Sequence, residues 1–186
     1  MLKKSIIISL FFICFQFASP GQAIRHLEFD LGVLQNYGGF FKLYSGIIEA
    51  GGVYNLGLTR DLFAGVAMHA GVLNRKNAEQ NAIFYKPAFQ LSYNIHLSER
   101  VAIIPAASIG YTWVSIRNDS YNYKETQSGL NTGVDLKVLW KTQERTDFYI
   151  FGRYDYVFLD EDNEFTELFH YRKIHQTAFG FGIRIK

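Results

Sequence analysis

The sequence has little cysteine and little proline, and it lacks a long apolar run beyond its first two dozen residues. Cys14 is the only cysteine, and there are three prolines in 186 residues. If the leader that contains Cys14 is removed, no cysteine remains, which excludes disulfides and cysteine-ligated metal sites. No later segment approaches the roughly 18 continuous apolar residues of a transmembrane helix. The histidines show no metal-ligand spacing, so we predict neither a metal site nor a cofactor.

The first 23 residues are typical of a cleaved secretory signal peptide. Two lysines, at positions 3 and 4, precede an apolar core over residues 6–17, and Gly21-Gln22-Ala23 places small residues where a signal peptidase recognises them. The apolar core is short for a spanning helix. We therefore predict a signal peptide over 1–23 and one domain over 24–186. The alternatives are an uncleaved anchor and a lipoprotein modified at Cys14.

Charge is balanced in the predicted mature chain. The formal net charge of +2 comes from the two leader lysines, and without them 17 basic and 17 acidic side chains remain. No basic stripe of the kind that follows a phosphate backbone is present. Nucleic acid is therefore not expected as a partner.

Alternation of apolar and polar residues is the main signal after the leader. From Ile83 to His96, apolar side chains at odd positions share one face and polar side chains share the other. Such a period of two is typical of a β-strand, and about ten alternating residues are what a tilted strand needs to cross a bilayer. The eight alternating segments cover approximately 26–34, 43–56, 62–73, 83–96, 101–115, 129–140, 147–158 and 174–185.

The connections between these segments alternate strictly between long and short. Residues 36–42, 74–82, 116–128 and 159–173 are long and polar, whereas 57–60, 97–100 and 141–146 are tight turns. This arrangement predicts an all-β, eight-stranded antiparallel up-and-down transmembrane β-barrel with both termini at the turn end. A soluble barrel or sandwich also alternates, but its strands are usually shorter.

Aromatic residues near the strand ends predict two girdles at the membrane interfaces. The turn-end set is Trp140, Tyr93, Tyr149 and Tyr54, and the loop-end set is Tyr44, Tyr85, Trp113 and Phe158. Between the girdles, the alternation predicts lipid-facing positions at Val134, Leu136, Phe179 and Phe181.

The whole pattern resembles the small outer-membrane β-barrel proteins, the class that contains the OmpA transmembrane domain and OmpX. The last segment, Gln176–Lys186, is similar to their carboxy-terminal assembly signal, although Ile185 replaces the closing aromatic residue and Lys186 follows it. The resemblance implies the outer membrane of a Gram-negative-type bacterium. It also implies outer-membrane lipid, lipopolysaccharide and the barrel-assembly machinery as partners.

The polar strand faces collect charged residues that a closed barrel would enclose. Because an unpaired buried charge is costly, we expect these residues to pair in a salt-bridged lumen network. Glu28 and Asp30 can face Arg184 across the closing strands. An ion path or a catalytic cluster is the alternative. The predicted network comprises Glu28, Asp30, Glu49, Lys86, Asp135, Lys137, Arg153, Asp155 and Arg184.

Two loops are candidates for binding an unknown surface ligand. The third loop carries Tyr121 and Tyr123 among small polar residues, a composition suited to recognition. The fourth loop is acidic, with Asp160, Asp162 and Glu164 among its carboxylates. These oxygens could hold calcium or bridge cations on lipopolysaccharide, but the glycine of an EF-hand loop is missing.

An enzymatic function is not predicted. His96-Leu97-Ser98 resembles the His-x-Ser pair of outer-membrane lipid A deacylases, yet Glu99 follows where that family has asparagine. No Gly-x-Ser-x-Gly motif is present. We therefore expect a structural or surface-interaction role through the extracellular loops. The alternatives are a narrow, porin-like channel and, less favoured, a lipid-modifying enzyme.

Overall fold

The computed structural model describes residues 25–37, 44–75, 80–118, 123–160 and 172–186, which form nine β-strands. The predicted signal peptide and the loop residues Tyr121, Asp162 and Glu164 lie outside this described part of the chain. The strands are β1 (Arg25–Tyr37), β2 (Tyr44–Gly57), β3 (Leu62–Arg75), β4 (Gln80–Tyr93), β5 (Ile95–His96), β6 (Val101–Asn118), β7 (Tyr123–Trp140), β8 (Thr146–Leu159) and β9 (Lys173–Ile185).

The strands close into a single antiparallel barrel. Each long strand pairs with the next one along the chain, and β9 pairs with β1 to close the ring. The two-residue β5 continues β4 beyond Asn94 and pairs with β6, as β4 does. The predicted eight-stranded up-and-down barrel is therefore confirmed, with β5 as a short additional strand. No helix long and apolar enough to cross a membrane occurs in the described ranges.

The β6–β7 hairpin is longer than the alternation predicts. Both strands have 18 residues, and their ladder continues to the pair formed by Asn118 and Tyr123. The predicted loop over 116–128 is thus mostly strand, and placing Tyr123 in a loop was wrong. Beyond the membrane a strand needs no apolar face, so the periodic signal ends before the hydrogen-bonded ladder does.

The outer wall is apolar between the two girdles. The predicted lipid-facing side chains Val134, Leu136, Phe179 and Phe181 point outward with exposed fractions of 53–63%. The girdle residues that point outward are Trp140, Tyr93 and Tyr54 at the turn end and Tyr85, Trp113 and Phe158 at the loop end. The side chain of Tyr44 lies outside the described part of the structure.

Tyr149 is an exception to the predicted girdle, because it points into the barrel. Its side chain is 1% exposed, its ring lies against Gly182 on β9, and its hydroxyl donates a hydrogen bond of 3.1 Å to the carbonyl oxygen of Phe29. An aromatic ring that covers a strand glycine in this way also explains why Gly182 has no side chain of its own.

The barrel interior is the core of the protein, and its polarity changes along the axis. Towards the loop end, buried apolar side chains from most of the strands form a layer that we call the apolar layer. Its members are Leu34, Leu73, Ala82, Phe84, Val114, Val157, Leu159 and Ile174. Charged side chains occupy the middle of the interior, on the turn side of this layer.

Close approach of backbones holds the closing strands together. Gly180 on β9 lies opposite Gly32 on β1, and a Cβ at Gly180 would overlap the carbonyl oxygen of Leu31. Gly52 on β2, by contrast, has no neighbour nearer than ordinary van der Waals contact at 3.5 Å. A side chain at position 180 would therefore clash with the neighbouring strand, whereas a side chain at position 52 would not.

Candidate functional site in the barrel interior

All nine charged residues of the predicted lumen network point into the barrel. They come from β1, β2, β4, β7, β8 and β9, and none of the nine side chains is more than 8% exposed. The period of two explains this placement, since every second residue of a strand shares one face. The barrel wall withdraws these charges from water, so each of them needs a partner inside.

Glu28 is the centre of the turn-side part of the network. Its Oε1 accepts hydrogen bonds from the Arg184 guanidinium, the shorter at 2.7 Å, and its Oε2 accepts one of 2.5 Å from the Lys137 ammonium. Glu28 and Arg184 are direct partners in the β1–β9 ladder, whereas Lys137 reaches Glu28 from β7 across the interior. Lys137 also lies 3.5 Å from Asp135.

Arg153 is the centre of the loop-side part. Its guanidinium lies 2.6 Å from a Glu49 oxygen, 3.2 Å from Asp30 and 3.7 Å from Asp135. Asp30 thus pairs with Arg153 and not with Arg184. Because Asp135 contacts both Lys137 and Arg153, the two parts form one connected network.

Lys86 completes the network on the β4 side. Its ammonium lies 2.5 Å from Glu49 and 2.6 Å from Asp155. Glu49 therefore bridges Lys86 and Arg153. The contact with Asp155 is a charge-assisted hydrogen bond, one of the stronger kinds in proteins, and it compensates part of the cost of burying Lys86.

Two histidines belong to the same interior and were missed as lumen residues by the sequence analysis. His26 Nε2 lies 3.2 Å from Glu28, and His69 Nε2 lies 3.5 Å from Asp30. Both occupy inward positions of their strands, two residues from other buried residues. Strand parity was the signal that could have found them. Among the described residues, no group of three or more His, Cys, Asp or Glu is placed to hold a metal ion.

Free space beside the network is small. A cavity of about 10 Å³ lies against Asp135, Arg153 and Asp155. This is about the smallest space that holds one water molecule. On the loop side, the apolar layer fills the interior with side chains of which none is more than 1% exposed. Side chains therefore occupy the lumen at this level, as expected for eight strands.

Asp160 is the one acidic residue of the fourth-loop candidates that the structure describes. One of its carboxylate oxygens accepts a hydrogen bond of 2.5 Å from the Tyr111 hydroxyl, and its backbone contacts Ser128 and Gln127. These bonds tie Asp160 to the loop-end rim of the barrel. Tyr123 lies in β7, and its side chain lies outside the described part of the structure.

The His96 and Ser98 pair has no catalytic arrangement in the structure. Ser98 Oγ accepts hydrogen bonds from the backbone N–H groups of Arg100 and Val101, at 3.3 and 3.1 Å, and so stabilises the turn. His96 contacts Asp61 through Nε2 and Lys141 through Nδ1. Among the described hydrogen bonds, none joins His96 to Ser98.

Comparison with known proteins shows the fold and goes no further. No protein-family model matches the chain, and no curated protein sequence matches it. Neisserial surface protein A is similar with a TM-score of 0.71 and 13% identity, over 89% of this chain and 99% of that one. Ail, the attachment invasion locus protein of Yersinia pestis, is similar with a TM-score of 0.54 and 12% identity, over 87% and 97%.

A third similar structure is a major outer membrane protein from Thermus thermophilus. Its TM-score is 0.53 at 11% identity, over 87% of this chain and 99% of that one. All three identities are too low to transfer an activity, but the coverage is nearly complete in both directions. The chain has the fold of the small outer-membrane β-barrel proteins, the class of the OmpA transmembrane domain and OmpX.

Proposed function

We propose that the protein resides in the outer membrane of a Gram-negative-type bacterium and acts there as a non-enzymatic surface-interaction protein. The filled lumen is the observation that carries this proposal. The paired charge network and the apolar layer fill the interior and leave no passage for a solute. Recognition of a partner would therefore take place at the loop end. The predicted signal peptide over 1–23 and assembly by the barrel-assembly machinery are parts of the same proposal.

The β6–β7 hairpin supports a role at the loop end. Its two strands continue five residues beyond the level of Trp113 and its ladder partner Ser128. At about 3.4 Å per residue, this extension carries the hairpin roughly 17 Å past the girdle. A hydrogen-bonded ribbon of this length can present the tip of the third connection, which includes Tyr121, to a partner outside the membrane.

Lipopolysaccharide is the partner that we propose for the fourth loop. The sequence from Asp160 to Glu167 carries five carboxylates, including Asp162 and Glu164, and Asp160 is anchored at the rim by Tyr111. Carboxylate oxygens bind divalent cations, which in turn bind phosphate groups of the lipid. The proposed contact is therefore a carboxylate–cation–phosphate bridge rather than a direct ion pair.

Location is tested by fractionation and by migration in SDS gels. The folded protein should remain with outer membranes until detergent is added, and it should migrate differently before and after heating. The mature chain should begin at Ile24, as read by amino-terminal sequencing. Recovery in a detergent-free periplasmic fraction would contradict the proposed location.

The surface role is tested with lipopolysaccharide vesicles and a double variant, Asp162→Asn/Glu164→Gln. We expect the wild-type protein to bind these vesicles in the presence of magnesium and to lose binding in EDTA, and the double variant to bind more weakly. A matched control is Glu144→Gln, which removes a carboxylate from an exposed turn at the opposite end of the barrel. Equal binding by the double variant and the control would refute the cation bridge.

The channel is the second candidate, and the same filled lumen argues against it. In a planar bilayer, the wild-type protein should show no stable open state. A steady, ion-selective current from the pure protein would favour the channel and overturn the surface-interaction proposal as the sole function.

A further inference from the structure

A cavity opens at the turn end of the barrel, opposite the proposed recognition surface. It is widely open to solvent and has a volume of about 710 Å³, and it is lined by the start of β1, by Arg184 and Lys186 at and after the end of β9, and by all three tight turns. We call it the turn-end vestibule. Its volume falls within the range of about 300–1,000 Å³ that is common for ligand sites. The cationic residues that line it are Arg25, Arg60, Lys141, Arg184 and Lys186, whereas the acidic ones are Glu99 and Asp147.

Two of the five cations are already neutralised by carboxylates. Arg184 lies 2.7 Å from Glu28, which belongs to the lumen network, and Lys186 Nζ lies 2.7 Å from Asp147. Asp147 also accepts a hydrogen bond of 2.8 Å from the backbone N–H of Thr142. These pairs form the inner wall of the vestibule, and their charges are compensated.

Lys141 faces an imidazole instead of a carboxylate. Its ammonium donates to His96 Nδ1 at 2.7 Å, and His96 Nε2 in turn lies 2.9 Å from Asp61. Partial burial is the main factor that lowers the pKa of Lys141. Asp147 and Asp61 oppose this lowering, whereas Arg184 and Lys186 add to it.

Arg25 and Arg60 are exposed at the rim, and neither makes an ion pair with any residue that the structure describes. Arg25 is the first residue of β1, and Arg60 lies in the turn between β2 and β3. Only Glu99 offers a lining carboxylate that is not already paired within the described residues. Three cations that make no ion pair with a described residue thus line one cavity that also contains the unpaired carboxylate of Glu99.

We propose that the turn-end vestibule binds an anion that carries two or more carboxylate or phosphate groups, held by Arg25, Arg60 and Lys141. Arginine presents a planar fork of donors that matches both carboxylate and phosphate. In outer-membrane barrels the short turns face the periplasm. Two sources have this chemistry there: the carboxylate-rich stem peptide of the cell wall and a small phosphorylated solute.

The experiment measures binding of two probes to the folded protein in a zwitterionic detergent at low salt. The probes are inorganic pyrophosphate and the tripeptide of alanine, D-glutamate and diaminopimelate, each followed by calorimetric titration. The vestibule variants are Arg25→Gln and Arg60→Gln, alone and combined. The matched control is Arg100→Gln, which removes the same charge from an exposed tight turn but does not line the cavity.

We expect saturable binding of at least one probe, weakened about two- to fivefold by each vestibule variant and about tenfold by the pair. The control should leave the affinity unchanged, and raising the salt to about 0.15 M should weaken binding. Binding of the tripeptide alone would identify the cell wall as the source, whereas binding of pyrophosphate alone would identify a phosphorylated solute. Binding of both would support an anion site without such discrimination.

Two results would overturn the proposal. One is the absence of saturable binding for both probes below about 10 mM. The other is an equal loss of affinity in Arg100→Gln and in the vestibule variants, which would show that net charge alone governs the interaction. Heat-dependent migration in SDS gels checks that each variant is folded. Neither result would affect the proposed role of the loop end.

Discussion

Replacing Arg153 by methionine should destabilise the barrel more than any comparable change outside the lumen. Arg153 is the cation shared by Asp30, Glu49 and Asp135, at 3.2, 2.6 and 3.7 Å. Two unit charges about 4 Å apart interact by about 4 kcal/mol at the effective dielectric of protein sites. Part of this is offset, because the guanidinium no longer has to be buried. We expect a net loss of about 3–5 kcal/mol, the usual cost of breaking a buried ion pair.

The assay is urea unfolding of the protein in lipid vesicles, followed by tryptophan fluorescence. The only two tryptophans, Trp113 and Trp140, both point outward at the girdles, so their emission reports loss of contact with lipid. With a denaturant slope of about 2 kcal/mol per molar, the midpoint of Arg153→Met should fall by about 2 M. Heat-dependent gel migration measures the folded fraction independently.

A double variant shows whether the loss comes from the carboxylates. Arg153→Met combined with Glu49→Gln removes one charge of each sign and keeps a polar group beside Lys86. We expect the double variant to be less destabilised than the sum of the two single variants, because their shared contact is counted twice. The surface control Arg100→Met should change stability by no more than about 0.5 kcal/mol. The reasoning fails if Arg153→Met costs no more than this control, or if the two single effects are additive.

Three further predictions concern the wall and the closure of the barrel. Leu136→Arg should cost about 2–4 kcal/mol of the free energy of folding into the bilayer, because it puts a charge among the lipid chains. Leu58→Arg, in a tight turn, should not have this cost. Equal yields of folded barrel for the two variants would refute the prediction. Gly180→Ala should lower the free energy of unfolding by about 1–3 kcal/mol through overlap with the neighbouring backbone, and Gly52→Ala should be tolerated. Similar midpoints for the two variants would show that the strands can separate at position 180. Arg184→Ala should lower the urea midpoint, because it removes the ladder partner of Glu28, and an unchanged midpoint would contradict the network.

The faces of the strands could be predicted because they depend only on local periodicity. Leu136 and Lys137 are adjacent, and the period of two alone places one towards lipid and the other inside. The same parity would have placed Tyr149 and His69 inside, since each lies an even number of residues from another inward residue of its own strand. Tyr149 was instead predicted in the girdle from its distance to the turn, a weaker criterion than parity.

The extent of the β6–β7 hairpin could not be predicted in the same way. Residues beyond the membrane do not need an apolar outer face. The alternation of apolar and polar residues therefore stops near Trp113, whereas the hydrogen-bonded pairing of β6 and β7 continues to Asn118 and Tyr123. Backbone hydrogen bonds, which are insensitive to side-chain polarity, determine where such a hairpin ends.

The sequence by itself determined the number of long strands, their order and nine of the enclosed charged residues, because these follow from period and from connection length, whereas Asp147 and two enclosed histidines were missed. Only the tertiary structure decided which charges meet. Lys137 contacts Glu28 although 109 residues separate them, because β7 and β1 face one another across the closed lumen. The turn-end vestibule likewise exists only once closure brings the start of β1, the end of β9 and three turns together. Strand periodicity depends on neighbouring residues and can be read from the sequence. Register and barrel closure depend on residues far apart in the chain, so side-chain pairing across the lumen requires the tertiary structure.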